Sequence, residues 1–517
     1  MSPIFDEQGL GPKIKSGADS DDCYFDCEEC SLMASMLRNS VVNTTAGILS
    51  MFMGFICSII VARTLGVEGT GIVAYALWFM TVATIVSDYG MPQATLRFIA
   101  RDVSSDQPYS ALLQTLLSRF VVTTAIMAVG IGTYALWLAR GNDARGSSVW
   151  FATIVLFLSY AYSTISISAA QGLGQFDRAA KMTLTGCVLQ FFSVLGGALL
   201  LGPVGAILGH TTRHLPQALD LRRYLGQTAE RVREIPADVK IYARNNWISG
   251  SVFALFGARI ELALIGFFFT IAQVGYYSIG LTMSGMIAQL AVFILAFVVP
   301  QFGAMHDNAD DTAFASAFEE TIRWLGIVIA PIAIGGASIA SELIPAVFGE
   351  DFAPAVWPAV ILLAFAIAQA LASVISRAIL AKNRSTDELR MMLVWCGATT
   401  VSLLITVPSY GQLGAAWVRG GASILLLLML SIYCYRVLQL RLPVLALIKS
   451  TLAAAICGAT AAYMLTIVSG LIGLLIAVSA AAPVYFLALF LLRAVTWKEM
   501  RPLFDGLKTR MRSSKAD

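Results

Sequence analysis

Between Asn43 and Arg101 the chain reads NTTAGILSMFMGFICSIIVARTLGVEGTGIVAYALWFMTVATIVSDYGMPQATLRFIAR. Two apolar runs, about 41–62 and 71–92, are separated only by the turn LGVEGTG. Each has the length of ~20 residues that an α-helix needs to cross ~30 Å of hydrocarbon. A backbone in lipid must satisfy its own hydrogen bonds, so such runs are helices. So short a link joins antiparallel neighbours, and the stretch is predicted to be a membrane helical hairpin. The rest of the chain obeys the same constraint. It is 57% hydrophobic and 13% charged, against about a quarter charged in soluble domains. That excludes a water-soluble globule, and a net charge of +3 with no clustered basic face gives no reason to expect a nucleic-acid partner.

Further apolar runs lie at about 111–138, 149–170, 183–201, 205–220, 247–270, 275–299, 322–344, 356–381, 391–408, 413–435, 445–468 and 470–492. The predicted fold is therefore an all-α polytopic membrane protein of about 14 transmembrane helices. Trp137 and Trp150 flank the polar link RGNDARG in the manner of an interfacial aromatic belt. With both termini on one side, 29 of the 35 Lys and Arg fall on that side and three on the other. Cytoplasmic segments carry such an excess, so both termini are expected in the cytoplasm.

The expected organisation runs as follows: a disordered acidic cytoplasmic tail (1–40), a first six-helix lobe (41–225), a cytoplasmic linker (226–246), a second six-helix lobe (247–440), two added transmembrane helices (441–493) and a basic cytoplasmic tail (494–517). The acidic tail holds Cys23, Cys27 and Cys30 in C-x3-C-x2-C spacing. Three thiolates can ligate a cluster or zinc, but no fourth ligand and no βα-barrel pattern accompany them, so neither metal nor cofactor is assigned. The other five cysteines sit singly in apolar runs and read as small hydrophobes. No P-loop is present, which argues against direct use of ATP.

The two lobes echo each other. GVEGTGIVAYAL (66–77) aligns with TIAQVGYYSIGL (270–281) at an offset of 204, and Arg119 meets Arg323 at the same offset. Pro92-Gln93 matches Pro300-Gln301 at 208, and Gly205 matches Gly414 at 209, which sets His210 against Arg419. Six helices per repeat, both starting on one side, make a parallel repeat about an axis along the membrane normal. Substrate then belongs between the lobes.

ARTLG-x2-G-x-G and SDYG-x8-IA in the first hairpin, VGYYSIG in the second lobe, VFGEDFAPA and the LGAA turn occur in that order. In these words, over about 40–440, the chain resembles the polysaccharide transporter family. These are the O-antigen and exopolysaccharide repeat-unit flippases of the multidrug/oligosaccharidyl-lipid/polysaccharide export superfamily. The resemblance implies a flippase rather than an enzyme. It would move an undecaprenyl-diphosphate-linked oligosaccharide from the cytoplasmic to the periplasmic leaflet of a bacterial inner membrane. A polysaccharide polymerase and export machinery would be its partners. A lipid II flippase and a multidrug/cation antiporter are the rival readings.

A lipid diphosphate needs cations in a watered cavity while its tail stays in lipid, and charges within spans usually face such a cavity. Arginine suits it because its fork gives paired hydrogen bonds to phosphate. The candidate cavity residues are Arg259, Arg419 and Arg377 in the second lobe and Arg119, Arg97 and His210 in the first. Asn43 joins them through the resemblance, where it matches a polar position at the start of the first helix. Glu261 and Asp88 are candidates for ion coupling. Other readings stay open: Arg97 and Arg119 also fit cytoplasmic anchors, Asp88 a cap, and Arg377 a side chain snorkelling toward the surface. Pro92, Pro300, Pro331 and Gly335-Gly336 are candidate bend points.

Overall fold

The computed structural model describes residues 27–105, 109–225, 235–257, 259–307, 311–382 and 384–495, and only the backbone of 27–43, 296–301 and 303–307. Cys23, most of the acidic tail, the basic tail from 496 and the side chains of Cys27, Cys30, Asn43 and Pro300 lie outside the described residues. The described chain is helical throughout: α1 (Cys27–Ser87), α2 (Met91–Ser104), α3 (Ser110–Arg140), α4 (Ala144–Gly172), α5 (Phe176–Tyr224), α6 (Ala237–Val252), α7 (Ile260–Phe268), α8 (Ile271–Asp307), α9 (Asp311–Phe348), α10 (Val356–Ala381), α11 (Ser385–Val437), α12 (Val444–Ile467) and α13 (Gly470–Leu491). Ten of these helices are long and apolar enough to cross a membrane, or eleven if α6 and α7, which meet at a 43° bend, are one span. The chain is a multi-pass membrane protein.

Three of the ten are too long for one straight crossing. Helix α5, with 49 residues, would run about 74 Å at 1.5 Å per residue. It breaks at Gly202, where φ is 63° and ψ −141°, a region open essentially only to glycine. Beyond the break the chain doubles back. The backbones of Gly186 and Arg213, and of Gly197 and Gly205, lie in van der Waals contact, and the Gln190 and His210 side chains share a 2.8 Å hydrogen bond. Pairs whose numbers rise on one limb and fall on the other define an antiparallel hairpin. Helix α11 does the same at Gly411 (φ 53°, ψ −134°). There Trp395 Nε1 donates to the Ala422 carbonyl at 2.7 Å and the Tyr433 hydroxyl to Asp387 at 2.6 Å. In α1 the break is Gly66, within the LGVEGTG turn, and Cys57 and Val61 before it share a core with Val73, Ala76 and Met80 after it.

The α1 and α5 glycine tips, the α3–α4 link and the α7–α8 link line one cavity at one end of the molecule, and the Gly411 tip lies at the same end, against Phe269 and Gln273 at the α7–α8 link. This end is called the hairpin side. At the other end Arg101 pairs with Asp238 at 2.8 Å, and Trp247 Nε1 donates to the Val86 carbonyl at 2.8 Å.

Some links differ from expectation. The polar stretch after the first hairpin is itself a helix, α2, with Pro92 in its first turn, where the missing N–H has no partner to lose. It is amphipathic: Met91, Ala94, Phe98 and Ile99 are buried, and Arg97 and Arg101 are exposed. Helix α1 begins at Cys27, ahead of the boundary expected at 41. The expected seventh helix is not continuous. It passes from α6 through a π-helical turn, Phe253–Gly257, to α7.

Buried apolar residues collect mainly into one core from α1–α6 and another built on α8–α11. Helices α12 and α13 pack against α9 through a third. The first two helix groups meet tightly on the hairpin side. A Cβ placed on Gly71 would lie 2.0 Å from the Ile271 carbonyl oxygen, and one on Gly275 would lie 2.3 Å from that of Val67. Only glycine allows this approach of backbone to backbone. The two positions are the pair that the sequence alignment at an offset of 204 sets against each other. On the same side Arg63 donates from Nε to the Val347 carbonyl at 2.9 Å and from Nη2 to that of Ala346. It thereby caps the C-terminal end of α9 from α1.

Candidate functional site

The π-helical turn and the break after it leave Arg259 as the residue before α7, with φ 61° and ψ 27°. A non-glycine residue held left-handed costs about 1–3 kcal/mol and persists where surrounding structure enforces it. Its effect here is to end one half-helix and start another at mid-depth. The first N–H groups of α7, the positive end of its dipole, then follow directly on Arg259, whose guanidinium reaches Gly285 of α8. Among the described residues the Arg259 side chain has neither a hydrogen bond nor an ion pair, and it is exposed to internal space.

That space is a chain of three cavities. The first, about 140 Å³, lies between the two helix groups and is lined by Ser58 and Thr70 of α1, His210 of α5, Arg259, and Ser278 and Thr282 of α8. The second, about 300 Å³, is reached past Arg259 and includes Ser284, Gln289, Gln369, Arg419 and Ser423. The third, about 210 Å³, shares Gln369, Arg419 and Ser423 with the second and adds Ser376 and Arg377. Arg259 joins the first two and Arg419 the last two. Arg419 lies eight residues after the Gly411 break and Arg259 nine before the end of α7. At 1.5 Å per residue both stand about 12–14 Å from the hairpin side, close to the middle of ~30 Å of hydrocarbon.

Glu261, two residues into α7, has 0% of its surface exposed. Its Oε1 accepts from Arg419 Nη1 at 3.1 Å and from the Tyr277 hydroxyl at 3.4 Å, and its Oε2 has no partner. The same Arg419 nitrogen also donates to the Gly257 carbonyl, 3.1 Å away, which the π-helical break leaves available. The sequence spacing that separates Glu261 from Arg259 on the helix surface hands it to Arg419 instead. Arg419 is thus held in place, and Arg259 is not.

The remaining candidates divide. His210 is buried against Gln190 at the wall of the first cavity. Arg377 lines the third. Arg97 does not reach the cavities; it lies over the Tyr242 ring at 4.5 Å on the α2 end. Arg119 is exposed and lines none of them. Asp88 is buried and accepts from the Gly90 N–H at 2.8 Å, closing the turn between α1 and α2. Among the described residues no group of three or more His, Cys, Asp or Glu is placed to hold a metal ion.

One cation was missed. Arg213, not among the candidates, lies inside α5, and its Nη2 donates to Ser50 Oγ of α1. Its guanidinium stands 3.7 Å from where a Cβ on Gly54 would be, beside the first cavity. The signal was available: Arg213 follows His210 by three residues within the run predicted as helix 205–220.

The fold is shared with solved flippase and transporter structures. A lipid II flippase, MurJ, in an inward closed conformation superposes with a TM-score of 0.72 at 12% identity, over 90% of this chain and all of that one. A multidrug resistance MATE family transporter in an inward-facing conformation gives 0.55 at 14% identity, over 76% of this chain and 97% of that one. The probable low-salt glycan biosynthesis flippase Agl15 of Haloferax volcanii is 19% identical over 387 residues, 74% of this chain and 79% of that protein. The profile of the polysaccharide biosynthesis protein family matches residues 60–357, more than half of the chain, and the chain belongs to that family.

Proposed function

We propose that this protein flips an undecaprenyl-diphosphate-linked oligosaccharide repeat unit from the cytoplasmic to the periplasmic leaflet of a bacterial inner membrane. The observation that carries the reading is the unpaired Arg259 guanidinium at the start of a half-helix, in a cavity chain that also holds Arg419 and Arg377. A half-helix N-terminus with arginine at mid-membrane suits a diphosphate. The family match and the likeness to a glycan biosynthesis flippase support a glycan-bearing substrate.

In this reading each of the three doubled helices is two spans and α6–α7 is one, which gives fourteen spans. Residues 41–225 and 247–440 are the two lobes, both termini are cytoplasmic, and the hairpin side is periplasmic. The Gly71–Gly275 contact and the Arg63 cap on α9 form the periplasmic closure. Transport is alternating access: rocking of the lobes opens that closure and carries the headgroup past the arginines. Glu261 competes with the phosphate for Arg419 and is the site at which ion coupling would act. Asn43 and the more exposed Arg97 and Arg119 serve entry from the cytoplasmic mouth. A polymerase would consume the delivered repeat unit.

The test is flipping in proteoliposomes, read as exposure of a lipid-linked oligosaccharide to an enzyme added outside. The wild type flips it, and Arg259→Ala lowers the rate more than tenfold while the protein stays folded. Unimpaired flipping by Arg259→Ala would remove the site assignment. Because a lipid II flippase shares the fold, lipid II is assayed in parallel, and preference for it would move the reading to that substrate.

A further inference from the structure

A larger cavity lies apart from the three that Arg259 and Arg419 link. It has about 790 Å³ and opens on the hairpin side of the first helix group, within the range of about 300–1,000 Å³ of ligand sites. Its walls come from the second limb of α1 (Glu68, Ile72, Tyr75), the end of α3 (Tyr134), the start of α4 (Arg145, Ser148, Trp150) and the α5 tip, and it is bounded by Gly266 and Ile271 from the α7–α8 tip.

Its aromatic residues form a connected set. The Trp150 ring stands at 87° to Tyr134 with centroids 5.2 Å apart, and at 88° to Tyr75 at 6.5 Å. Phe79 braces Trp150 from behind at 4.8 Å. Trp137 and Trp150, which sequence placed together in an interfacial belt, therefore part company. Trp137 is 66% exposed and belongs to a belt, whereas Trp150 is half-buried and turned into the cavity. Glu68 and Arg145 line the same space, and among the described residues neither has an ion-pair partner.

We propose that this cavity is a carbohydrate subsite, which takes sugar rings of the lipid-linked glycan on the hairpin side. The inference rests on the flippase reading above and extends it. Sugar rings offer apolar C–H faces, which aromatic faces cover, and a rim of hydroxyls, which need donors and acceptors. Tyr75, Tyr134 and Trp150 supply the first, and Glu68, Arg145 and Ser148 the second. An acyl chain would use the rings and leave the charged groups without function. The position also fits. On the second limb of α1, Ile72, Tyr75 and Ala76 face this cavity, while Thr70, Val73, Ala74 and Leu77 face the cavity of Arg259. One helix thus separates the diphosphate site from the sugar site, a spacing of about 10 Å. Ile271, whose carbonyl meets Gly71, lies in the wall, so separation of the helix groups at that contact changes the mouth of the subsite.

The experiment uses the full chain in nanodiscs. The probes are lipid-linked oligosaccharide extracted from the producing cell and the same extract stripped of sugar to the bare polyprenyl diphosphate. Trp150→Leu is expected to weaken binding of the sugar-bearing probe at least tenfold and leave the stripped probe unchanged; Trp150→Phe, which keeps a ring, retains most of the affinity. Thermal melting checks the fold, and should Trp150→Leu not fold, Glu68→Gln with Arg145→Gln must show the same selective loss. Equal weakening of both probes, or none, overturns the subsite, and so does displacement of a bound phospholipid acyl chain as the only effect. Failure of wild type to bind the stripped probe counts instead against the flippase reading. The released oligosaccharide then tests the cavity by the same variants.

Discussion

Adding one methyl group at Gly71 should bias the whole molecule. In the present state an alanine Cβ would sit 2.0 Å from the Ile271 carbonyl oxygen, with Gly275 N at 3.1 Å. Neither neighbour is a side-chain end that can turn away. Restoring ordinary contact needs roughly 1 Å or more of separation between α1 and α8, and overpacking of this kind costs about 1–3 kcal/mol. The strain falls only on the state in which the two helix groups touch, so the equilibrium toward separation should rise by about 5- to 150-fold, at 1.4 kcal/mol per tenfold. The assay is the distance between spin labels at the exposed positions Thr64 and Glu350 in a cysteine-free background, one on each helix group at this end. Gly71→Ala should shift the distribution to longer distances, and Gly275→Ala, which meets the Val67 carbonyl at 2.3 Å, should do the same. Both clashes are relieved by one movement, so the double variant should cost hardly more than either alone, a strong departure from additivity. Unchanged distances, or two effects that simply add, would refute the idea that this contact is a closure between two moving bodies.

Three further outcomes follow from the site and the breaks. Arg419→Ala leaves the fully buried Glu261 carboxylate without its cation and should destabilise the protein by about 3–5 kcal/mol. The double variant Arg419→Leu, Glu261→Leu should recover most of that stability in a melting curve without recovering transport. Arg213→Ala, at the wall facing Ser50, should lower flipping with little change in melting, whereas a residue in a cytoplasmic segment would leave flipping intact. Gly202→Ala forces a side chain into a glycine-only conformation and should lower stability by about 1–3 kcal/mol, while Gly196→Ala, which meets open space, should be neutral within error.

Element existence was legible wherever composition alone decides it, since ~20 apolar residues in lipid have one backbone solution. The alignment at an offset of 204 bears on more than topology. The glycines that align at that offset, Gly71 and Gly275, are ones that touch, as a symmetry axis between two lobes would require. What sequence could not show was how a span is interrupted. Nothing in FALFGARIELALIGFFF marks a break, since a π-helical turn and one left-handed arginine have no composition of their own. Yet that break frees the Gly257 carbonyl for Arg419 and leaves Arg259 unpaired at a helix start. Periodicity has no means of naming Arg419, 158 residues away, as the partner of Glu261. Arg213 is a different case: it stands within the run 205–220 next to a polar stretch, and sequence does not distinguish a cation facing the surface from one facing the interior. Position along the chain likewise kept Trp150 in a belt with Trp137, although the ring points into the protein. In each case sequence located the residue along the membrane normal or within its helix, and only packing fixed its azimuth. For a transporter the azimuth decides between lipid, core and cavity, so in this chain the functional reading turns on the rotation of a few helices more than on their number.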